Sequence, residues 1–164
     1  MENLHIKKCI RTFSGKYINV FDPDPETILI EDIAHASANL CRWGGHCPEF
    51  YSVGQHAVHC SELADEKDKL AMLLHDASES LGLLDFPRPI KNEFKNYLEI
   101  EDNLMRIIAK KFGFQYPLTE NMKKIDDIML NKEWEDLILK PSMECWSPVL
   151  AKNIFLQTFD KLNQ

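Results

Sequence analysis

Apolar residues recur along most of the chain at three- and four-residue intervals, the spacing of helices buried on one side. The exception lies near the N-terminus. In residues 10–25, IRTFSGKYINVFDPDP, aromatic and β-branched residues flank Ser14-Gly15, which predicts a β-hairpin with a tight turn, closed by Pro23 and Pro25. Beyond it the helical period takes over. Residues 30–42 put Ile30, Ile33, Ala34, Ser37, Leu40 and Cys41 on one stripe, and Gly44-Gly45 stops that helix. Ser52 followed by Gln55 reads as a capping box. It opens a second helix with Val53, His56, Ala57, Cys60 and Ala64 on its inner face. A third helix is expected over 67–81, striped by Leu70, Leu73, Leu74, Ala77 and Leu81. DFPRP reads as a rigid loop, because proline does not fit a helix interior. A long helix is expected over 90–112 with Gly113 as its C-cap, another over 119–138, and a last amphipathic one over 148–162. The predicted fold class is all-α, a compact helical bundle with a small N-terminal β-hairpin. One domain is expected over 1–164: a hairpin arm at 1–25, a core at 26–140 and a C-terminal helix at 141–164.

The stretch AMLLHDASES changes this picture from packing to chemistry. His75-Asp76 follows four apolar residues, in the middle of a helix expected to be buried. An adjacent imidazole and carboxylate are costly to bury unless something compensates both. A divalent metal does so, since histidine offers a neutral nitrogen and aspartate an anionic oxygen. Glu79, at i+4 and i+3, shares their face. His56, on the inner face of the preceding helix, would stand opposite the pair if the two helices form an antiparallel hairpin. Asp126 falls within the stripe between Met122 and Met129, whereas Asp127 sits at its edge, so Asp126 is the carboxylate that asks for a partner. The candidate metal set is His56, His75, Asp76 and Asp126.

This order resembles the HD-domain metal-dependent phosphohydrolases, whose signature is H…HD…D on successive helices. The resemblance runs from about residue 12 to residue 140 and is closest to the small stand-alone branch that includes 5′-deoxynucleotidases and phage deoxynucleotide hydrolases. IEDIAHA with CRWGGH, YSVGQHAVHC, and HDASES…DFPRPIK carry it alongside the four ligands. It implies an HD-domain bundle in which His56, His75, Asp76 and Asp126 are metal ligands and Glu79 is the catalytic carboxylate beside Asp76. Arg42, Trp43 and Asp85 become substrate contacts. The expected reaction is hydrolysis of a (deoxy)nucleotide at the phosphate on the nucleoside 5′-oxygen, a metal-activated water being the nucleophile. Arg42 can grip phosphate with two parallel hydrogen bonds, His46 stands near enough in sequence to reach the phosphate, and Arg88 and Lys91 flank the entrance. One alternative is a deoxynucleoside triphosphate hydrolase (for example on dATP) that releases triphosphate. Another is a non-catalytic nucleotide-binding module. Only four arginines are present, Arg11, Arg42, Arg88 and Arg106, which favours the monophosphate. One ion is expected: manganese, cobalt, iron, nickel or zinc, or magnesium alongside a polyphosphate substrate.

Charge and cysteine usage narrow the setting. Nineteen basic and 26 acidic residues give a net charge of −7. Bulk charge of that sign excludes a nucleic-acid polymer as partner. No apolar run is long enough for a transmembrane helix or a signal peptide. Five cysteines, an odd number with no CxxC, read as reduced thiols in a cytoplasmic protein. The expected partner is a small nucleotide, and the long apolar-faced helix at 90–112 leaves room for a homo-oligomer.

Overall fold

The computed structural model describes residues 8–163, so the first seven residues of the hairpin arm lie outside the described part. Strands β1 (Ile10–Arg11) and β2 (Tyr17–Ile18) pair antiparallel, with Ile10 opposite Ile18. The turn between them is anchored by Asp32, whose carboxylate accepts from the Ser14 backbone N–H at 2.6 Å and from its hydroxyl at 2.7 Å. Asp32 belongs to α1 (Ile30–Asn39), so the hairpin is fastened to the first helix. The rest of the chain is helical, as its period predicts.

Helix α2 (Val53–Leu63) begins at Ser52, whose hydroxyl accepts from the Gln55 N–H at 3.0 Å. The reciprocal half of the expected capping box does not form. The Gln55 side chain turns to the far end of the chain, donating to the Glu144 carbonyl at 2.7 Å and accepting from the Trp146 N–H at 2.8 Å. Where α1 and α2 cross, a Cβ on Gly54 would stand 3.1 Å from the Ala38 backbone nitrogen, so a side chain there would press on the α1 backbone.

The continuous helix expected over 67–81 is broken. Helix α3 spans only Lys69–Leu73, and Leu74 leaves helical geometry with ψ near 8°. The Met72 carbonyl accepts from the Nδ1–H of His75 at 2.7 Å, where an unbroken helix would offer the N–H of residue 76. His75-Asp76 therefore sits in a turn, not mid-helix, and the chain then widens into a π-type turn at Glu79–Leu83. The segment expected as the start of the long helix is separate too. Helix α4 (Arg88–Lys91) carries Pro89 in its first turn, where the missing N–H goes unused. Helix α5 (Lys95–Phe112) begins only at Lys95 and ends on left-handed Gly113. Helix α6 (Glu120–Glu133) passes into a second π-type turn at Trp134–Leu139, and α7 (Pro148–Leu162) starts from Ser147.

Helix α7 packs across α1 and α2, and α2 packs on α3. Ile18, Ile33, Leu73, Leu104, Ile108 and Phe155 meet in the main core. Helix α5 thus turns its apolar stripe inward onto this chain's own core. A second, sulfur-rich cluster of Cys60, Met72, Met122 and Met129 lies where α2, α3 and α6 converge. Among the described residues all five cysteines are free, and no helix is long and apolar enough to cross a membrane.

Candidate metal centre

The turn after α3, the inner face of α2 and the inner face of α6 bring four expected donors together. His56 Nε2 and His75 Nε2 are 3.3 Å apart. Asp126 Oδ1 lies 3.3 Å from the first and 3.8 Å from the second. Asp76 Oδ2 lies 3.7 Å and 3.3 Å from the same two nitrogens. Metal–ligand bonds of about 2.0–2.2 Å put neighbouring donors roughly 3–3.5 Å apart around a single ion. His56, His75 and Asp126 have that spacing to within a few tenths of an ångström, and Asp76 approaches the same two nitrogens but is not in the group of donors that all lie within 4.8 Å of one another.

Each imidazole is fixed from behind. His56 Nδ1 is 2.5 Å from the Glu133 carboxylate, and His75 Nδ1 holds the Met72 carbonyl. With both Nδ1 positions donating, both Nε2 lone pairs face the shared space. Both histidines are buried, as are Glu133 and Glu79. Burial works against an imidazolium at His75, but Asp76 and Asp126 outweigh it and push its pKa up to about 10. At His56 burial and Arg42 pull down, yet Cys60, Glu133 and Asp126 carry the pKa above its ordinary value. Burial pulls both aspartates upward, but the two histidines hold each below the usual carboxylate range. The cluster thus calls for positive charge at its centre. A divalent ion supplies that charge with both imidazoles neutral, so the donors present fit such an ion. His56, Cys60, His75 and Asp126 each offer a donor atom within 4.8 Å of the others.

Above the donors opens a cleft of about 400 Å³, within the range of small-ligand sites. Of the residues expected around a substrate, Arg42, Trp43, Asp85, Arg88 and Lys91 line it, as do Glu79, Asp76 and Asp126. His46 does not: it is exposed and outside the cleft, because the left-handed Gly44-Gly45 turn carries the chain outward. The basic residues of the lining are each paired with carboxylates. Arg42 donates to Glu133 at 3.2 Å and lies 3.7 and 3.8 Å from Asp76 and Asp85. Arg88 pairs with Asp126 at 2.9 Å and with Asp127 at 2.8 Å, so Asp127 faces the entrance, not the donors. Lys91 bridges Glu79 at 3.0 Å and Glu101 at 2.5 Å. His59, a neighbour of His56 by sequence, is spoken for elsewhere, bonded to the Tyr51 hydroxyl and edge-on to Trp146.

Three buried atoms of cleft residues have no hydrogen-bond partner: Arg42 Nε, Trp43 Nε1 and Glu79 Oε2. The first two are donors. Buried donors without acceptors are costly. Trp43 sits at φ 58°, in the left-handed region unusual for a large side chain, with its ring 5.6 Å from that of Trp134. Glu79 is raised well above the usual carboxyl range by burial and by Asp76 and Asp85, which together outweigh Lys91.

The chain is 38% identical to the uncharacterized protein YfdR of Escherichia coli K12, over 94% of this chain and 96% of that protein. It belongs to the YfdR family. An uncharacterized protein of Rhodobacter capsulatus is 34% identical over 77% of this chain and 71% of its own length. No protein-family model matches the chain.

Two residues of this YfdR-family site escape the sequence reading. Glu133 stands seven residues after Asp126 and four after Met129, on the same buried stripe of α6. That period could have found it, as an acidic residue at a core position. Cys60, one turn after His56, could be placed on the inner face of α2, but only the fold brings it beside the donors.

Proposed function

We propose that the protein is a metal-dependent phosphohydrolase of (deoxy)nucleotides, removing the phosphate carried on the nucleoside 5′-oxygen. The observation that carries this reading is the convergence of His56 Nε2 and His75 Nε2 at 3.3 Å, with both Nδ1 atoms tied back and two carboxylates alongside. The nucleotide class rests on the resemblance of this ordered set and its flanks to the HD-domain phosphohydrolases.

His56, His75, Asp76 and Asp126 would hold the ion. Bound there, it supplies charge to the phosphoryl oxygens and makes a nucleophile available near neutral pH. The protein's own contribution is position and proton control. Arg42 and Trp43 line the cleft and would contact the phosphate or the sugar it carries. Glu79, raised in pKa and steadied at Oε1 by Lys91, keeps Oε2 free to hold a proton and pass it to the departing 5′-oxygen. The cleft favours a monophosphate, because Arg42, Arg88 and Lys91 are each already matched to carboxylates and leave little positive charge for two further phosphates.

A panel of nucleoside mono- and triphosphates, assayed with metals added back one at a time, tests the reading. Inorganic phosphate from monophosphates is expected, and Glu79→Gln should lower the rate by roughly a hundredfold or more. Triphosphate as product would shift the assignment to a triphosphate hydrolase. Nucleotide binding with no turnover under any metal would leave a non-catalytic module.

A further inference from the structure

Glu79 lies in the turn Glu79–Leu83, and helix α5 fastens that turn at two points. The first is main chain. The Tyr97 hydroxyl donates to the Leu84 carbonyl at 2.9 Å, and the Leu84 N–H donates to the Glu79 carbonyl at 3.1 Å. The second is side chain. Glu101, one helical turn after Tyr97 and on the same face of α5, has its carboxylate 2.5 Å from Lys91 Nζ. That ammonium donates to Glu79 Oε1 at 3.0 Å and stands 5.5 Å from the centroid of the Tyr97 ring. The three charged side chains are largely covered: Glu79 is 3% exposed, Lys91 17% and Glu101 18%. Burial pulls the Lys91 pKa down, but Glu79 and Glu101 outweigh it, so the group is an ammonium with a carboxylate on either side. One oxygen of Glu79 is thereby held, and the other, Oε2, has no partner.

Glu79 alone would neutralise Lys91. The second carboxylate fixes where the ammonium stands. Lysine carries its point charge on a flexible four-carbon stem, and Asp76 and Asp85 attract this one as well. An ammonium drawn to either would release Glu79 Oε1. Glu101 is placed on a long helix whose next turns, through Leu104 and Ile108, are buried in the main core, so its carboxylate is a rigid anchor. We propose that Glu101 is a positioning residue for Glu79, acting through Lys91, whose ammonium it keeps on Glu79 Oε1 while Oε2 stays free. The inference rests on Glu79 being the proton donor of the proposed hydrolysis. Its consequence is that Lys91 serves the acid, not the phosphate.

Steady-state kinetics of the full-length protein, with a nucleoside monophosphate and the metal that best supports its turnover, test this. Glu101→Leu should lower kcat by roughly tenfold and leave KM within about twofold, the mark of an interaction that matters only in the transition state. Glu101→Gln keeps an oxygen that accepts from Lys91 and should recover most of that loss. In a Glu79→Gln background, the same Glu101→Leu change should lower kcat by less than about twofold, because the group it positions no longer holds a proton to give. Glu101→Ala gives a second reading should the leucine disturb folding, and thermal melts identify a variant that has not folded. Asp102→Asn, the next residue on α5 but paired with Arg106, should leave kcat and KM unchanged. An equal fold-loss in both backgrounds, a loss carried by KM, or a glutamine as damaging as the leucine would overturn the proposal while leaving the hydrolase reading standing. Absence of turnover by the wild type with every nucleotide and metal would overturn this proposal together with that reading.

Discussion

The floor of the cleft and its mouth are built on opposite principles. On the floor, both imidazoles are buried and held from behind: His56 by Glu133, His75 by a main-chain carbonyl, and Glu133 in turn by Arg42. At the mouth, Arg88 is more than half exposed and pairs directly with Asp126 and with the equally exposed Asp127. Buried pairs of this kind are strongly destabilising to break, whereas exposed pairs contribute little. The floor can therefore keep a fixed coordination geometry, while the mouth can change partners to admit a ligand.

The sharpest way to break this contrast is Glu133→Ala. It strands Arg42 and His56 together in the interior and should cost about 3–5 kcal/mol in urea unfolding of the metal-stripped protein. The milder Glu133→Gln should weaken metal affinity by about 10–100-fold with less loss of stability, since it removes the charge that orients His56. Equal effects of Glu133→Ala and Arg88→Ala would erase the distinction. Next in size is Gly54→Val. Its branched side chain would press on the α1 backbone at Ala38 and should cost about 1–3 kcal/mol by the same measurement.

A pH series separates the regions further. Glu79 has a raised pKa in the folded chain, so the folded state binds more protons than the unfolded one above pH 4.5. Stability contributed at this position therefore falls as pH rises from about 4.5 towards the folded pKa. Glu79→Gln cannot ionise, so its stability should overtake that of wild type across this window, the gap widening with pH. A constant gap would mean that Lys91 fully compensates the buried charge. The smallest effect is expected at the mouth: Arg88→Ala should change unfolding stability by less than about 1 kcal/mol.

Period and side-chain chemistry made much of this legible in advance. Asp126 stands out because a carboxylate interrupts the Met122–Met129 stripe, and its place beside both histidines follows from that anomaly. The break after α3 was not legible. Leu70, Leu73, Leu74, Ala77 and Leu81 keep a helical rhythm straight through it, and only the capture of the Met72 carbonyl by His75 reveals the turn. The engagement of Arg88 and Lys91 was equally hidden, because their partners lie on helices whose relative placement no local pattern encodes. Residue types told which side chains gather at the cleft, and the fold alone told which of their charges remain free.

The side chain of Gln55 joins the first turn of α2 to the main chain at Glu144 and Trp146. It acts as a splint between a histidine-bearing helix and a stretch almost ninety positions downstream. Replacing Gln55 by leucine would remove both bonds of that splint, loosening the imidazole next door without altering any atom that faces the cleft.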